Sequence, residues 1–151
     1  MASTVSSSGQ SPGSALGAAG WQRLEERIRG DPASYREDFL QQWRHFQALL
    51  RLLRLQPEPT PADVQPLLDV VQFLAQVGGL YSSLGVVEAS QLGAELSGAL
   101  SEGDLRERLP GEGRLALCKA LTRLCHQRLH DTCEAFELFF RLANCRDKAL
   151  R

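Results

Sequence analysis

The chain has 151 residues, 43% of them hydrophobic and 23% charged, with a net charge of −1. That length suits one domain plus a tail, and that hydrophobic share is enough for a real core. Near-neutral charge gives no bulk attraction to nucleic acid or to a membrane surface.

The charge is banded along the chain. Residues 1–54 carry seven basic and five acidic groups, a net of +2. Residues 55–105 carry seven acids and no Lys or Arg, and residues 106–151 carry ten basic and six acidic groups. Separate acidic and basic faces are therefore expected after folding. No apolar run approaches the roughly 18 residues of a membrane span. The first twenty residues lack the basic start and apolar centre of a secretory signal, so an intracellular chain with reduced cysteines is expected. Cys118, Cys125, Cys133 and Cys145 sit at wide helical spacings with no C-x-x-C, which reads them as small apolar core residues.

In chain order, residues 1–20 are mostly Ser, Gly and Ala. Such a segment buries too little apolar surface to offset its ordering entropy and is expected to be disordered. Trp21, Leu24 and Ile28 make a short amphipathic helix ended by Gly30 and Asp31-Pro32. A second helix is predicted over 33–55, with Asp31 or Ser34 as cap and Ser34-x-x-Glu37 in the form of a capping box. Tyr35, Phe39, Trp43, Phe46, Leu50 and Leu53 recur at steps of three and four, one continuous apolar stripe. Pro57, Pro59 and Pro61 block its continuation.

Thr60 caps the third helix, with Pro61 in its first position. Val64, Leu67, Leu68, Val71, Leu74, Ala75 and Val77 give it a wide apolar face, Pro66 is expected to bend it, and Gly78-Gly79 to end it. After a connector over 80–85, a weaker helix follows with Val87, Leu92, Leu96 and Leu100 inward and Gly93 and Gly98 weakening it. Residues 101–113 read as loop around a turn at 104–109. A helix over 114–130 buries Leu117, Leu121, Leu124, Cys118 and Cys125. Asp131 caps the last helix, Glu134 completes a box-like spacing, and Phe136, Phe139, Phe140 and Ala143 form its apolar side. No segment alternates at period two over a strand length. The fold is therefore all-α, with antiparallel helix pairs stacked as a HEAT/armadillo-like solenoid.

Chemistry is sparse. His126 and His130 are spaced i, i+4, with Cys125 and Cys133 nearby, but Gln127 stands where a zincin needs Glu. His130 sits at a helix end, so a capping or surface role is the simpler reading. There is no Gly-x-Ser-x-Gly elbow, and Gly111-x-Gly113 follows no strand. No catalytic, cofactor-binding or metal residues are assigned. Arg44, Arg51 and Arg54 lie on the polar side of the second helix, and Arg146, Lys148 and Arg151 make a second basic end. These rows can meet RNA phosphate or an acidic protein, although a solvated face is the plainer reading. Neither row interleaves exposed aromatics with charge as single-strand binders do. The candidate interaction face is Arg44, Arg51, Arg54, Arg146 and Lys148.

The wording of several segments carries further information. Asp31-Pro32-x-x-Tyr35-x-Glu37-Asp38-Phe39-Leu40-Gln41-Gln42-Trp43, then His45 and Leu55-Gln56-Pro57, resembles the N-terminal region of the SDA family, named for severe depolymerisation of actin. Phe73-Leu74-Ala75-Gln76-Val77, Leu117-Cys118-Lys119-Ala120-Leu121, Glu137-Leu138-Phe139-Phe140-Arg141-Leu142 and Cys145-Arg146-Asp147-Lys148-x-Leu150-Arg151 agree in order. Residues 78–113 match weakly, and the Ser/Gly/Ala leader is unlike the family.

The resemblance implies a non-catalytic helical scaffold in biogenesis and nuclear export of the large (60S) pre-ribosomal subunit, located in the nucleus and nucleolus. Implied partners are pre-ribosomal assembly factors and pre-rRNA, with no cofactor, membrane or small-molecule substrate. An adaptor in protein transport or actin cytoskeleton organisation is the alternative. Family members are several times longer, so residues 21–151 are expected to be an incomplete helical N-terminal domain. Its last helix, with Phe136, Phe139 and Phe140, would then lack the cover a following repeat provides.

Overall fold

The computed structural model of the protein describes residues 16–101 and 103–143. Seven helices occupy this span: α1 (Ala18–Gly30), α2 (Arg36–Leu55), α3 (Pro61–Ser83), α4 (Val87–Ser101), α5 (Gly103–Arg108), α6 (Gly111–His126) and α7 (Thr132–Ala143). The all-α expectation holds, with no strand among the described residues. The helices pack in a solenoid-like arrangement. α3 is its hub, with α1, α2, α4 and α6 all packed on it, and α7 rests on α4 and α6. No described helix is long and apolar enough to cross a membrane.

The aromatic stripe of α2 explains much of the first half of the core. Phe39, Trp43, Phe46, Leu50 and Leu53 are buried, and Tyr35 packs at the edge. Burying each such side chain contributes roughly 1.5–3 kcal/mol. The Phe39 ring stacks on Tyr81 of α3 with centroids 4.2 Å apart. Trp21 of α1 meets Phe73 of α3 at 4.9 Å. α3 buries residues on several sides, from Val64, Leu67 and Val70 to Phe73, Val77 and Tyr81, as a central helix must.

Local signals place most helix ends, with corrections. α1 starts at Ala18, so residues 18–20 belong to the helix and not to the leader. Residues 1–15 lie outside the described residues. The Ser34–Glu37 capping box does not form. The Ser34 N–H and hydroxyl both donate to the Asp31 carboxylate instead, which closes a turn over 32–35 and delays α2 to Arg36. The capping box forms one helix later. The Asp63 N–H donates to Thr60 Oγ1 at 3.3 Å, and the Thr60 N–H donates to Asp63 Oδ2 at 2.8 Å.

Gly78-Gly79 does not end α3. Gly78 is buried in mid-helix, where an added Cβ would lie 3.3 Å from Leu129 Cδ1. The helix stops at Gly85, whose φ is +76°. There the Val86 N–H donates to Tyr81 O and the Gly85 N–H donates to Ser82 O, a Schellman motif. Val86, not Val87, then turns inward; Val87 is 63% exposed. The expected loop at 101–113 contains α5 and the first turn of α6. Leu105 and Leu109 are buried, and Arg108 Nη1 donates to the carbonyls of Arg54 (3.2 Å) and Gln56 (2.6 Å), tying α5 to the end of α2.

Candidate functional site

The predicted basic row does not form one surface. Arg44 and Arg51, seven residues apart, share the exposed face of α2. Arg44 is paired with Glu37 at 3.4 Å. Arg54 is half-buried near the end of the helix, and its carbonyl accepts from Arg108. Arg146 and Lys148, with Arg151 and Cys145, lie outside the described residues.

The histidines do not converge. His126 is exposed. The His130 side chain is only 6% exposed, which overturns the surface role expected for it. It fills a notch that Gly93 leaves in α4: a Cβ at position 93 would lie 2.6 Å from His130 Nδ1 and 2.7 Å from its Cβ. His130 Nε2 makes no hydrogen bond among the described residues, and the Glu134 carboxylate stands 4.0 Å from it. Cys133 is exposed, contrary to its expected core role, and Cys118 and Cys125 are half-buried. Burial, then the nearby Asp131 charge, pushes the Cys125 thiol up, away from the reactive thiolate. Among the described residues no three His, Cys, Asp or Glu side chains gather at one point.

A groove of about 260 Å³ separates α1 from α3, lined by Trp21, Gln22, Glu25, Asp69, Phe73 and Gln76. Its carboxylates are engaged by neighbouring side chains, whereas the buried Trp21 Nε1 has no hydrogen-bond partner among the described residues. Arg29 Nη2 donates to Glu25 Oε1 at 2.7 Å, and Gln65 donates to Asp69 at 2.8 Å. The Gln76 amide nitrogen, in the orientation that satisfies both groups, donates to the Glu25 carboxylate at 2.7 Å.

Among the described residues, surfaces on α7 and α6 stand open to solvent. On α7, Ala135, Leu138 and Leu142 turn inward, Phe139 is half-buried, and Phe136 and Phe140 are 69% and 65% exposed. Ala143 is exposed as well, so the expected inward side of this helix is rotated by about one residue. Asp131 caps it as expected, its Oδ1 accepting from the N–H groups of Cys133 (2.6 Å) and Glu134 (3.2 Å).

The second surface, on α6, was not among the sequence-based candidates. Lys119, Arg123 and His126 are exposed along one face at steps of four and three. The face ends at exposed Arg128, whose φ is +59°. Lys119, Arg123 and Arg128 make no ion pair among the described residues. The signal was present in the sequence as a polar complement to the Leu117/Leu121/Leu124 stripe. It was obscured because the four residues are spread over ten positions.

No family model matches the chain. Curated relatives do. The chain is 38% identical over 128 residues to the "Protein SDA1 homolog" of Caenorhabditis elegans, covering 85% of this chain and 15% of that protein. It is 35% identical over 129 residues to the "Protein SDA1 homolog" of Xenopus laevis, covering 85% of this chain and 17% of that one. "Protein sda1" of Schizosaccharomyces pombe is 29% identical over 69 residues, 46% of this chain and 9% of that protein. The matched segment thus spans about a sixth of the length of the first two. Across the residues it shares with these relatives, the chain belongs to the SDA family.

Proposed function

We propose that this chain is a non-catalytic helical scaffold in biogenesis and nuclear export of the 60S pre-ribosomal subunit, acting in the nucleus and nucleolus. The observation that carries the reading is the long match to SDA1 homologues, together with the role that the family resemblance implies. The geometry supports it. A hub helix holds short neighbours in fixed positions, and functional variety is left to the outward faces. One such face on α6 is cationic, and one on α7 is apolar. Surfaces of this kind bind by shape and charge, in this case assembly factors and pre-rRNA.

Sucrose-gradient sedimentation of a nuclear extract containing the tagged 151-residue chain tests the proposal. The chain is expected in the fractions that hold large-subunit precursors. Recovery only at the top of the gradient, or with transport or actin assemblies, overturns it.

A further inference from the structure

We infer that the α6 face formed by Lys119, Arg123 and His126, extended by Arg128, is a binding surface for the phosphate backbone of folded RNA. The inference rests on the scaffold reading above and adds to it a ligand chemistry and a place.

Charge and geometry carry it first. Lys119, Arg123 and His126 are exposed on one helical stripe. At 1.5 Å rise per residue the stripe runs about 10 Å from Lys119 to His126. No carboxylate among the described residues is ion-paired with Lys119, Arg123 or Arg128. Glu112 stands on the same side of α6 but near its start, two turns before Lys119. Asp131, three residues after Arg128, spends Oδ1 on the N–H groups that begin α7.

Arg128 gives the second, independent observation. α3 and α6 end in the same Schellman motif. In α3 the left-handed position is Gly85. In α6 it is Arg128, with the Leu129 N–H donating to Leu124 O at 2.9 Å and the Arg128 N–H to Cys125 O at 3.0 Å. Glycine suits that position and a long side chain does not. A residue kept in a strained conformation, with its guanidinium in solvent at the end of a cationic stripe, points to a use for the charge.

The chemistry of the face selects the partner. Protein partners are held by buried aromatic or aliphatic anchors, and the centre of this stripe presents none. Leu115, at its α-helical start, is the one partly exposed large apolar side chain there. Stacking of unpaired bases needs exposed aromatics, which the stripe also lacks. What remains is a row of donors and positive charges, suited to the phosphates of an A-form duplex read by shape.

The test is fluorescence anisotropy of the full chain with a labelled RNA duplex of about 16 base pairs. It is titrated between about 50 and 200 mM salt, with polyglutamate as a second probe. Lys119→Ala/Arg123→Ala removes two exposed, unpaired cations, and circular dichroism confirms that the helices persist. The expected result is a salt slope lowered by about 2 and affinity lowered about tenfold or more. Arg128→Gly should lower the slope by about 1, while Arg44→Ala/Arg51→Ala on α2 should leave it unchanged. Duplex binding unaffected by the α6 variants overturns the inference, and so does polyglutamate binding as tightly through the same residues. Gradient sedimentation run in parallel separates this inference from the one it rests on. A chain that enters precursor particles but binds duplex independently of α6 overturns the α6 assignment alone. A chain whose α6 face binds duplex yet stays out of those particles supports the assignment and overturns the scaffold reading.

Discussion

Gly93→Ala should destabilise the protein although alanine is the better helix former. An added Cβ would lie 2.6, 2.7 and 2.8 Å from Nδ1, Cβ and Cγ of His130. Comfortable contact between such atoms is about 3.5–4.0 Å. The His130 Cβ is set by the backbone, so no rotation of the ring relieves that contact. α4 and the α6–α7 turn must separate by roughly 1 Å, and overpacking of this kind costs about 1–3 kcal/mol. The helix-propensity gain of about 1 kcal/mol offsets part of it.

Gly98 is the internal control, because it lies on the same helix with nothing within 4 Å of an added Cβ. Gly98→Ala should therefore gain about 1 kcal/mol. The two alanine variants should differ by the overpacking cost alone, about 1–3 kcal/mol, read from urea denaturation midpoints at constant slope. Adding His130→Ala, which removes the Nδ1 and Cγ contacts but keeps the Cβ one, should erase only part of the difference, and His130→Gly, which removes all three, should erase most of it. Equal stability of Gly93→Ala and Gly98→Ala would refute the reasoning.

Other outcomes follow from the same packing. Tyr81 is fully buried against Phe39, and its hydroxyl has no hydrogen-bond partner among the described residues. Burial, with Asp38 and Asp31 adding to it, pushes its pKa up to about 12. Tyr81→Phe should be neutral or stabilising by up to about 1 kcal/mol in denaturant melts; a loss of more than that contradicts an unpartnered hydroxyl. Thr60→Ala should cost about 1 kcal/mol by removing the α3 cap, and an unchanged melting temperature would show that the cap is idle. Hydrogen bonds from the Thr60 hydroxyl and N–H hold the Asp63 carboxyl below its ordinary value. The cap's contribution is therefore present above the ordinary carboxylate range and is lost as pH falls through the lowered value. An Asp63 resonance titrating at or above the ordinary carboxylate value contradicts this. Arg128→Gly should raise stability by about 0.5–1 kcal/mol, the relief of left-handed strain less the added chain entropy of glycine. A decrease in thermal stability would show that the arginine is not strained. Phe136→Ser/Phe140→Ser should leave the melt nearly unchanged and reduce self-association by light scattering, because both rings face solvent. A large loss of stability would place them in the core.

Much of this architecture was legible in the sequence. The Tyr35-to-Leu53 stripe fixed the inward side of α2 because aromatic spacing leaves little rotational freedom. The Thr60 cap and Pro61 located the start of α3. Glycines misled where packing decided between alternatives. Gly78 looks like a stop but admits Leu129 at close range, and Gly93 looks like a weak point but makes room for His130. The true stop, Gly85, is exposed and has a positive φ, and neither property is displayed by a sequence pattern. Ser34 was a plausible cap, but Asp31 outcompetes the helix N-terminus for its hydroxyl and N–H. The same limit governs the candidate face. Arg44 and Arg51 were correctly placed in solvent, whereas the α6 row needed the helix boundaries and the αL position of Arg128 before it appeared as one surface.

The most direct test of the central claim is the position of the tagged chain in a sucrose gradient of nuclear extract. The account predicts co-migration with large-subunit precursors, lost when those precursors are dissociated by high salt. A chain that sediments as free protein under low-salt conditions, with precursors intact in the same gradient, contradicts it.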